Sequence, residues 1–335
     1  MKIAVLGNGG FGTAMALTLE HAGHEVSLWG HSADYTAQIA ASRENPRYLA
    51  GVTLPESIQV GDDPRAALDG AGAVLVAVPT QHVRAVLTGM AELLGGDAPV
   101  VSLAKGLEQS TGKRPSEILA DVLGSPERVY VLSGPSHAEE IAHGQPTTVV
   151  VAGADGERLR ALQAALQTDR FRVYRNGDLL GVELCGALKN VMALAAGIAD
   201  GLGYGDNAKA AILSRGIVEM QRYGLACGAD PQTFFGLAGV GDLAVTAFSK
   251  HGRNRAFGER IGRGETLKQA LASSPKVAEG VWTAKVVDAA SKERGVEMPI
   301  AAAVARVLYD DLPPEQAVRA LMGRDPKAEG APSHS

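Results

Sequence analysis

Lys2-Ile3-Ala4-Val5-Leu6-Gly7-Asn8-Gly9-Gly10-Phe11-Gly12 stands at the start of the chain. Five residues of strand type run straight into a G-x-G-x-x-G loop, and the loop opens a helix. Each glycine of the loop answers a physical demand. Gly7 allows the tight turn out of the strand. Gly9 has no Cβ, so a pyrophosphate can approach the backbone. Gly12 lets the helix pack close to the strand. The first amides of the helix then face the phosphates. Alone the motif is weak evidence. Directly after one strand and followed by a second, it reads as a dinucleotide site rather than a glycine-rich turn.

Working outward, short apolar runs recur at Lys2–Leu6, Val26–Trp29, Ala73–Val78, Val100–Ala104, Val129–Leu132, Thr147–Ala152 and Phe171–Tyr174. Segments of helical spacing, such as His82–Leu94 and Glu157–Leu166, lie between most of them. Strands apolar on both faces that alternate with helices predict a parallel, doubly wound sheet. Past Asp178 the pattern is helical throughout, at about 178–199, 207–226, 231–248, 253–263, 279–294 and 299–309. The fold class is therefore α/β: a Rossmann-like doubly wound parallel sheet over 1–177, followed by an all-helical domain over 178–326. The polar tail 327–335 is expected to be disordered.

The 335 residues suffice for two domains. Hydrophobic residues make up 46% and charged residues 21%, an ordinary globular balance. Cys185 and Cys227 cannot build a disulfide framework and fit a reducing cytoplasm. Zinc-type Cys and His spacing is absent. The net charge of −5, with no basic run, gives nucleic acid no footprint. The start does not read as a secretory leader, since glycines cut its apolar run short. The longest apolar stretch, Val191 to Ile198 between Lys189 and Asp200, is too short to span a bilayer.

The second strand ends at Leu28-Trp29-Gly30-His31. An NAD-selective site places Asp or Glu there to bond the ribose 2′-hydroxyl, and none is present. His31, with an arginine such as Arg43 or Arg47, could instead receive a 2′-phosphate, which predicts that NADPH is accepted and preferred. The alternative is a plain surface histidine.

Open α/β sheets bind ligands beyond the carboxyl ends of their strands. Ala104-Lys105-Gly106 ends one strand, with Lys105 available to a phosphate or a carbonyl oxygen. Leu132-Ser133-Gly134-Pro135-Ser136-His137-Ala138 ends another, where Gly134 and Ser136 offer amide and hydroxyl donors. In the apolar helix that follows, Lys189 and Asn190 interrupt a run of Val182, Leu184, Leu188, Val191 and Met192. A buried lysine is costly unless paired or functional, and desolvation lowers its pKa toward that of a general base. A lysine snorkelling from the helix edge is the alternative. Gly239-Val240-Gly241-Asp242-Leu243 adds a carboxylate in a glycine-flanked turn, with Thr246 one helical turn on. Arg253-Asn254 offers phosphate donors at a helix start, unless it is a solvated cluster.

Together these residues resemble the bacterial-type NAD(P)-dependent glycerol-3-phosphate dehydrogenases. The most specific stretch is Gly186-Ala187-Leu188-Lys189-Asn190-Val191-Met192, continuing through Gly197, Asp200-Gly201 and Gly205-Asp206-Asn207. Ser102-Leu103-Ala104-Lys105-Gly106, Ser133-Gly134-Pro135-Ser136, Asp242, Arg253-Asn254 and Val277-Ala278-Glu279-Gly280 follow the family's order over about residues 1–285. The resemblance implies that Lys189 is the general acid/base. It implies that Lys105, Gly134, Ser136, Asp242, Arg253 and Asn254 hold glycerol phosphate. It further implies that Gly10, Phe11, His31, Ala138, Val277 and Glu279, with Lys105 and Arg253, touch NADP(H) or NAD(H). One position departs: Gly252 stands where the family has Ser or Thr, leaving only a backbone amide for the substrate. The implied reaction interconverts dihydroxyacetone phosphate and sn-glycerol 3-phosphate, for phospholipid synthesis, with no metal, nucleic acid or membrane partner. A homodimer through the helical domain is left open. A 3-hydroxy-acid or ketopantoate-type dehydrogenase and a non-enzymatic NADPH sensor remain the alternatives. A sensor has no use for Lys189, Asp242 or Arg253-Asn254.

Overall fold

In a computed structural model the structure describes residues 1–154, 156–249, 252–273, 278–326 and 328. The expected tail from 327 and the expected cofactor contact Val277 lie outside these, apart from residue 328. The strands are β1 (Lys2–Leu6), β2 (Glu25–Trp29), β3 (Glu44–Asn45), β4 (Leu49–Thr53), β5 (Ile58–Gly61), β6 (Ala73–Val76), β7 (Val100–Ser102), β8 (Val129–Ser133), β9 (Thr147–Ala152) and β10 (Phe171–Asn176). Around the sheet run α1 (Gly10–His21), α2 (Ala33–Ser42), α3 (Pro64–Leu68), α4 (Thr80–Thr88), α5 (Pro115–Leu123), α6 (Ala138–Ala142) and α7 (Gly156–Leu166). Beyond them come α8 (Leu179–Gly201), α9 (Asp206–Ala226), α10 (Asp242–Phe248), α11 (Arg253–Gly262), α12 (Leu267–Ala272), α13 (Glu279–Glu293), α14 (Pro299–Tyr309) and α15 (Pro314–Met322).

The main sheet has the order β10-β9-β8-β7-β6-β1-β2-β5. Its inner strands are buried on both faces, which is why they read as continuous apolar runs. The sheet is mostly parallel and doubly wound, as the sequence predicts, with one antiparallel pairing in it. β9 pairs antiparallel with β8, and β10 runs parallel to β9. The link between β8 and β9 holds only the five-residue α6, too short for a crossover along the sheet. The chain therefore turns back, leaving residues 134–146 at the carboxyl edge of the parallel strands. β10 then ends at the opposite edge, and α8 climbs back toward the ligand edge. Lys189 is its eleventh residue, about 15 Å along the axis at 1.5 Å per residue.

The hairpin β3–β4 and the edge strand β5 escape the sequence reading. They are short, and β4 and β5 leave half or more of their residues exposed. The helix expected over 231–248 is broken. A 3₁₀ turn at Pro231–Phe235 and a π-turn at Leu237–Gly241 precede α10. A Cβ on Gly239 would lie 1.9 Å from the Phe234 carbonyl oxygen, so this tight path requires glycine.

α8 is the axis of the helical part. One apolar cluster runs from Val131 and Val150 of the sheet through Val182, Leu188 and Val191 to Val281, Val304 and Leu308. By length and composition α8, with mean hydropathy 1.5, could cross a membrane, contrary to the shorter stretch expected. Here 83% of that window is buried inside the protein, as in a core helix.

α8 and α11 meet through glycines. A Cβ on Gly197 would lie 2.0 Å from the Arg255 carbonyl oxygen, and one on Gly201 2.2 Å from that of Glu259. Reciprocally, Gly258 would meet the Leu194 oxygen at 2.2 Å and Gly262 the Ile198 oxygen at 2.3 Å. Glycines four apart share a helix face, so the two backbones touch directly. That contact fixes the start of α11, with Arg253 and Asn254, against the middle of α8.

Candidate active site

The first half of the site is built from missing side chains. Gly7 has φ +116°, and a Cβ there would lie 2.8 Å from the Ala77 oxygen. A Cβ on Gly12 would lie 1.9 Å from the Gly7 oxygen, so the helix can pack onto the turn only through glycine. Gly9, the N-cap of α1, has nothing within 4 Å of its Cβ position, and no side chain caps the helix. Open space therefore sits before a helix start with unpartnered amides, as a pyrophosphate requires. The residues fit a dinucleotide on that observation. Gly10 abuts the Tyr48 carbonyl and comes close to Ala138, while Phe11 is half-buried at the same opening. His31 is exposed beyond β2, edge-on to Trp29 with ring centroids 6.2 Å apart.

The second half is a cluster of charged side chains. Asp242 is 2% exposed and bridges two lysines. Its Oδ1 lies 3.0 Å from Lys189 Nζ and its Oδ2 2.8 Å from Lys105 Nζ. Lys105 also donates to the Gly134 carbonyl at 2.9 Å and to Ser136 Oγ at 3.1 Å. Its three N–H bonds are thus all engaged. Lys189 donates to Thr246 Oγ1 at 2.7 Å and to Asp242, which among the described residues leaves one N–H unengaged. Thr246 in turn donates to the Asp242 carbonyl at 2.6 Å. The Lys105 stem crosses over Gly186, in ordinary contact with it, since its Cγ lies 3.5 Å from where a Cβ would be.

Burial sets the electrostatics. Desolvation lowers the Lys189 pKa to about 8, with Lys105 and Arg253 adding repulsion and Asp242 opposing them. Burial works to raise the Asp242 pKa, yet the two lysines hold it below the usual carboxylate value. Lys189 therefore sits between free acid and free base near neutral pH, beside a carboxylate that stays ionised.

A polar chain extends from the lysines. Asn190 Nδ2 donates to the Lys105 carbonyl at 2.7 Å, and Asn254 Nδ2 donates to Asn190 Oδ1 at 2.9 Å. The Gly280 amide donates to Asn254 Oδ1 at 2.9 Å. Beside it, Glu279 Oε1 accepts from the Thr80 amide at 2.8 Å, joining α13 to α4. Its second oxygen is buried with no partner among the described residues, and burial raises its pKa. Arg253 is exposed at the start of α11 and forms no ion pair among the described residues. Gly252, left with only an amide for the substrate, uses it on the Ser249 carbonyl at 3.2 Å. A Cβ there would also lie 2.8 Å from the Thr246 oxygen. That expected contact is therefore not offered in this conformation.

The structure brings Lys105, Gly134, Ser136, Lys189, Asp242 and Asn254 into one cluster, and Gly7, Gly9, Gly10, Phe11, Gly12 and Ala138 around one opening. It adds Thr80, Asn190 and Thr246 as partners to which the sequence assigned no task. Thr246 carried a signal, one helical turn from Asp242. Thr80 carried a weaker one, at the strand end Val78-Pro79-Thr80, but its partner is 199 residues away.

The fold and the paired lysines about a buried carboxylate define the class: an NAD(P)-dependent oxidoreductase. Comparison with known proteins gives the family. The "NAD-dependent glycerol-3-phosphate dehydrogenase" family models match residues 2–159 (N-terminus) and 178–319 (C-terminus). The chain belongs to that family. The glycerol-3-phosphate dehydrogenase [NAD(P)+] of Chlorobium phaeobacteroides is 48% identical over 98% of this chain and 99% of its own. That of Geobacillus kaustophilus is 49% identical over 98% and 96%. The crystal structure of the Coxiella burnetii glycerol-3-phosphate dehydrogenase superposes with TM-score 0.91 at 38% identity, over 96% of this chain and 99% of that one. A ketopantoate reductase from Ralstonia eutropha, at 19% identity and TM-score 0.59, shares the fold alone.

Proposed function

We propose that this chain reduces dihydroxyacetone phosphate to sn-glycerol 3-phosphate with NADPH in preference to NADH, and catalyses the reverse. The observation that carries the reading is Asp242 bridging Lys105 and a buried Lys189 that keeps one donor unengaged among the described residues. Residues 1–177 form the cofactor domain and 178–326 the catalytic domain in this reading, with the cleft between them.

When bound, the nicotinamide supplies the hydride. Lys189 gives a proton to the carbonyl oxygen of the substrate and takes one back in the reverse direction. Lys105 lends positive charge to the same oxygen, once it exchanges one of its three present partners. Asp242 keeps both lysines oriented. Arg253, with the α11 start behind it, takes the phosphate. Glu279 and Thr80 close the cofactor side. The missing carboxylate after β2, with His31 in its place, supports the preference for NADPH. Buried Cys185 and half-buried Cys227 suit the reducing cytoplasm. A homodimer through the helical domain is the expected assembly, tested by light scattering.

The test follows NADPH oxidation with dihydroxyacetone phosphate, beside unphosphorylated dihydroxyacetone, and repeats it with NADH. Turnover confined to the phosphate ester and faster with NADPH is expected. Equal turnover of the two ketones would remove Arg253 from phosphate binding, and a higher kcat/KM with NADH would remove the preference.

A further inference from the structure

Two arginines could accompany His31, and the structure separates them. Arg43 caps the C-terminus of α2, and its guanidinium is engaged with the chain itself. It donates to the carbonyls of Leu54 (3.3 Å), Ile58 (2.9 Å) and Pro55. It holds the base of the β3–β4 hairpin, its side chain is only 15% exposed, and its Nε and Nη2 are both committed, which leaves Nη1 alone.

Arg47 stands at the hairpin's tip, and the hairpin is docked on the glycine loop. Asn45, fully buried, donates to the Asn8 carbonyl and to Thr13 Oγ1, both at 2.8 Å. The Tyr48 carbonyl lies 2.8 Å from where a Cβ on Gly10 would be. Asn8 reaches the other way, donating to Thr36 Oγ1 in the first turn of α2 at 3.0 Å. A Cβ on Gly30 would collide with both groups, at 2.1 and 2.2 Å. The glycine loop, the end of β2, the start of α2 and the hairpin therefore converge on one place.

There the Arg47 guanidinium lies 4.4 Å above the ring of Tyr35, the third residue of α2, and 6.0 Å from the ring of Tyr48. Tyr35 is itself fixed, donating to Asn45 Oδ1 at 2.6 Å and accepting from the Arg47 amide at 3.1 Å. Arg47 is exposed and no carboxylate pairs with it among the described residues. A guanidinium held over a ring through its central carbon can still turn edge donors to a phosphate, and the contact limits the rotamer freedom lost on binding.

We propose that Arg47, presented by the hairpin and stacked on Tyr35, binds the 2′-phosphate of NADP(H), and that cofactor selectivity therefore resides mainly in the hairpin. This rests on the dehydrogenase reading above. The test is calorimetric binding of 2′,5′-ADP and of 5′-AMP to the wild type, Arg47→Leu, Arg47→Lys and His31→Ala, with melting temperatures recorded. Arg47→Leu should weaken 2′,5′-ADP about tenfold or more, the effect of one charge-assisted contact. Binding of 5′-AMP should stay unchanged, and Arg47→Lys should recover part of the loss. Equal weakening of both nucleotides would overturn the proposal in favour of adenine stacking or a damaged hairpin, and so would no weakening. Failure of the underlying reading looks different. The wild type would then bind 5′-AMP as tightly as 2′,5′-ADP, or bind neither, and both readings would fall.

Discussion

The two halves of the candidate site are made of opposite materials. On the cofactor side the functional feature at Gly9 is an absence, an empty Cβ position with nothing within 4 Å. On the substrate side it is a density of side chains, two lysines sharing one buried aspartate. Behind the substrate side, at the α8–α11 seam, absence serves a third purpose: glycine removes a space instead of leaving one. The same residue type thus makes room for a ligand in one place and abolishes room between backbones in another. What matters is the neighbour a Cβ would meet. Additions should break the first and third regions, and deletions the second.

The largest effect is expected from a deletion. Lys189→Ala should lower kcat by at least ~10², the scale of a general acid/base. NADPH affinity, read by fluorescence, should persist. Near-normal turnover would take Lys189 out of the chemistry. Next comes an addition at the seam. Gly197→Ala sets a Cβ against the Arg255 carbonyl and should destabilise the fold by about 3 kcal/mol, the upper range for overpacking. Denaturant unfolding measures this, and an unchanged midpoint would mean that the helices part freely. The same addition at Gly9 should leave the unfolding midpoint alone, because nothing is there to meet, while NADPH affinity falls about tenfold. Loss of stability without loss of affinity would reverse the comparison.

The smallest effect is a matter of pH. Lys189 must be protonated to act as an acid, and its pKa is lowered to about 8. Ketone reduction should therefore hold below pH 8 and decline above it. Alcohol oxidation, which needs the neutral amine, should rise through the same range. A reduction profile flat well beyond that pH would place the proton elsewhere.

The parts legible in the sequence are those whose physics is local. The apolar strands β1, β2, β6, β8 and β9 announce themselves because both faces are buried. Gly7, Gly9 and Gly12 are readable because a turn, a phosphate approach and a helix contact occur within six residues. Lys189 is readable because a charge in an apolar helix needs a reason. What the sequence hides is pairing at a distance. Asn190 and Asn254 are 64 residues apart, and Thr80 and Glu279 are 199 apart. The hairpin carrying Arg47 is hidden for another cause. Two short strands with exposed faces have no apolar rhythm to betray them.

The arithmetic of charge in the cluster has a consequence for diffusion. Lys105, Lys189 and Arg253 against Asp242 leave two positive charges at the cleft, on a chain whose net charge is −5. The Debye length at physiological ionic strength is about 8 Å. The bulk of the molecule is therefore hidden from an approaching phosphate ester until it is nearly at the opening. By then the local charges, and not the net charge, are in view. Capture should depend on the mouth of the cleft and hardly at all on the overall charge, so the outer surface is free to vary without slowing the encounter.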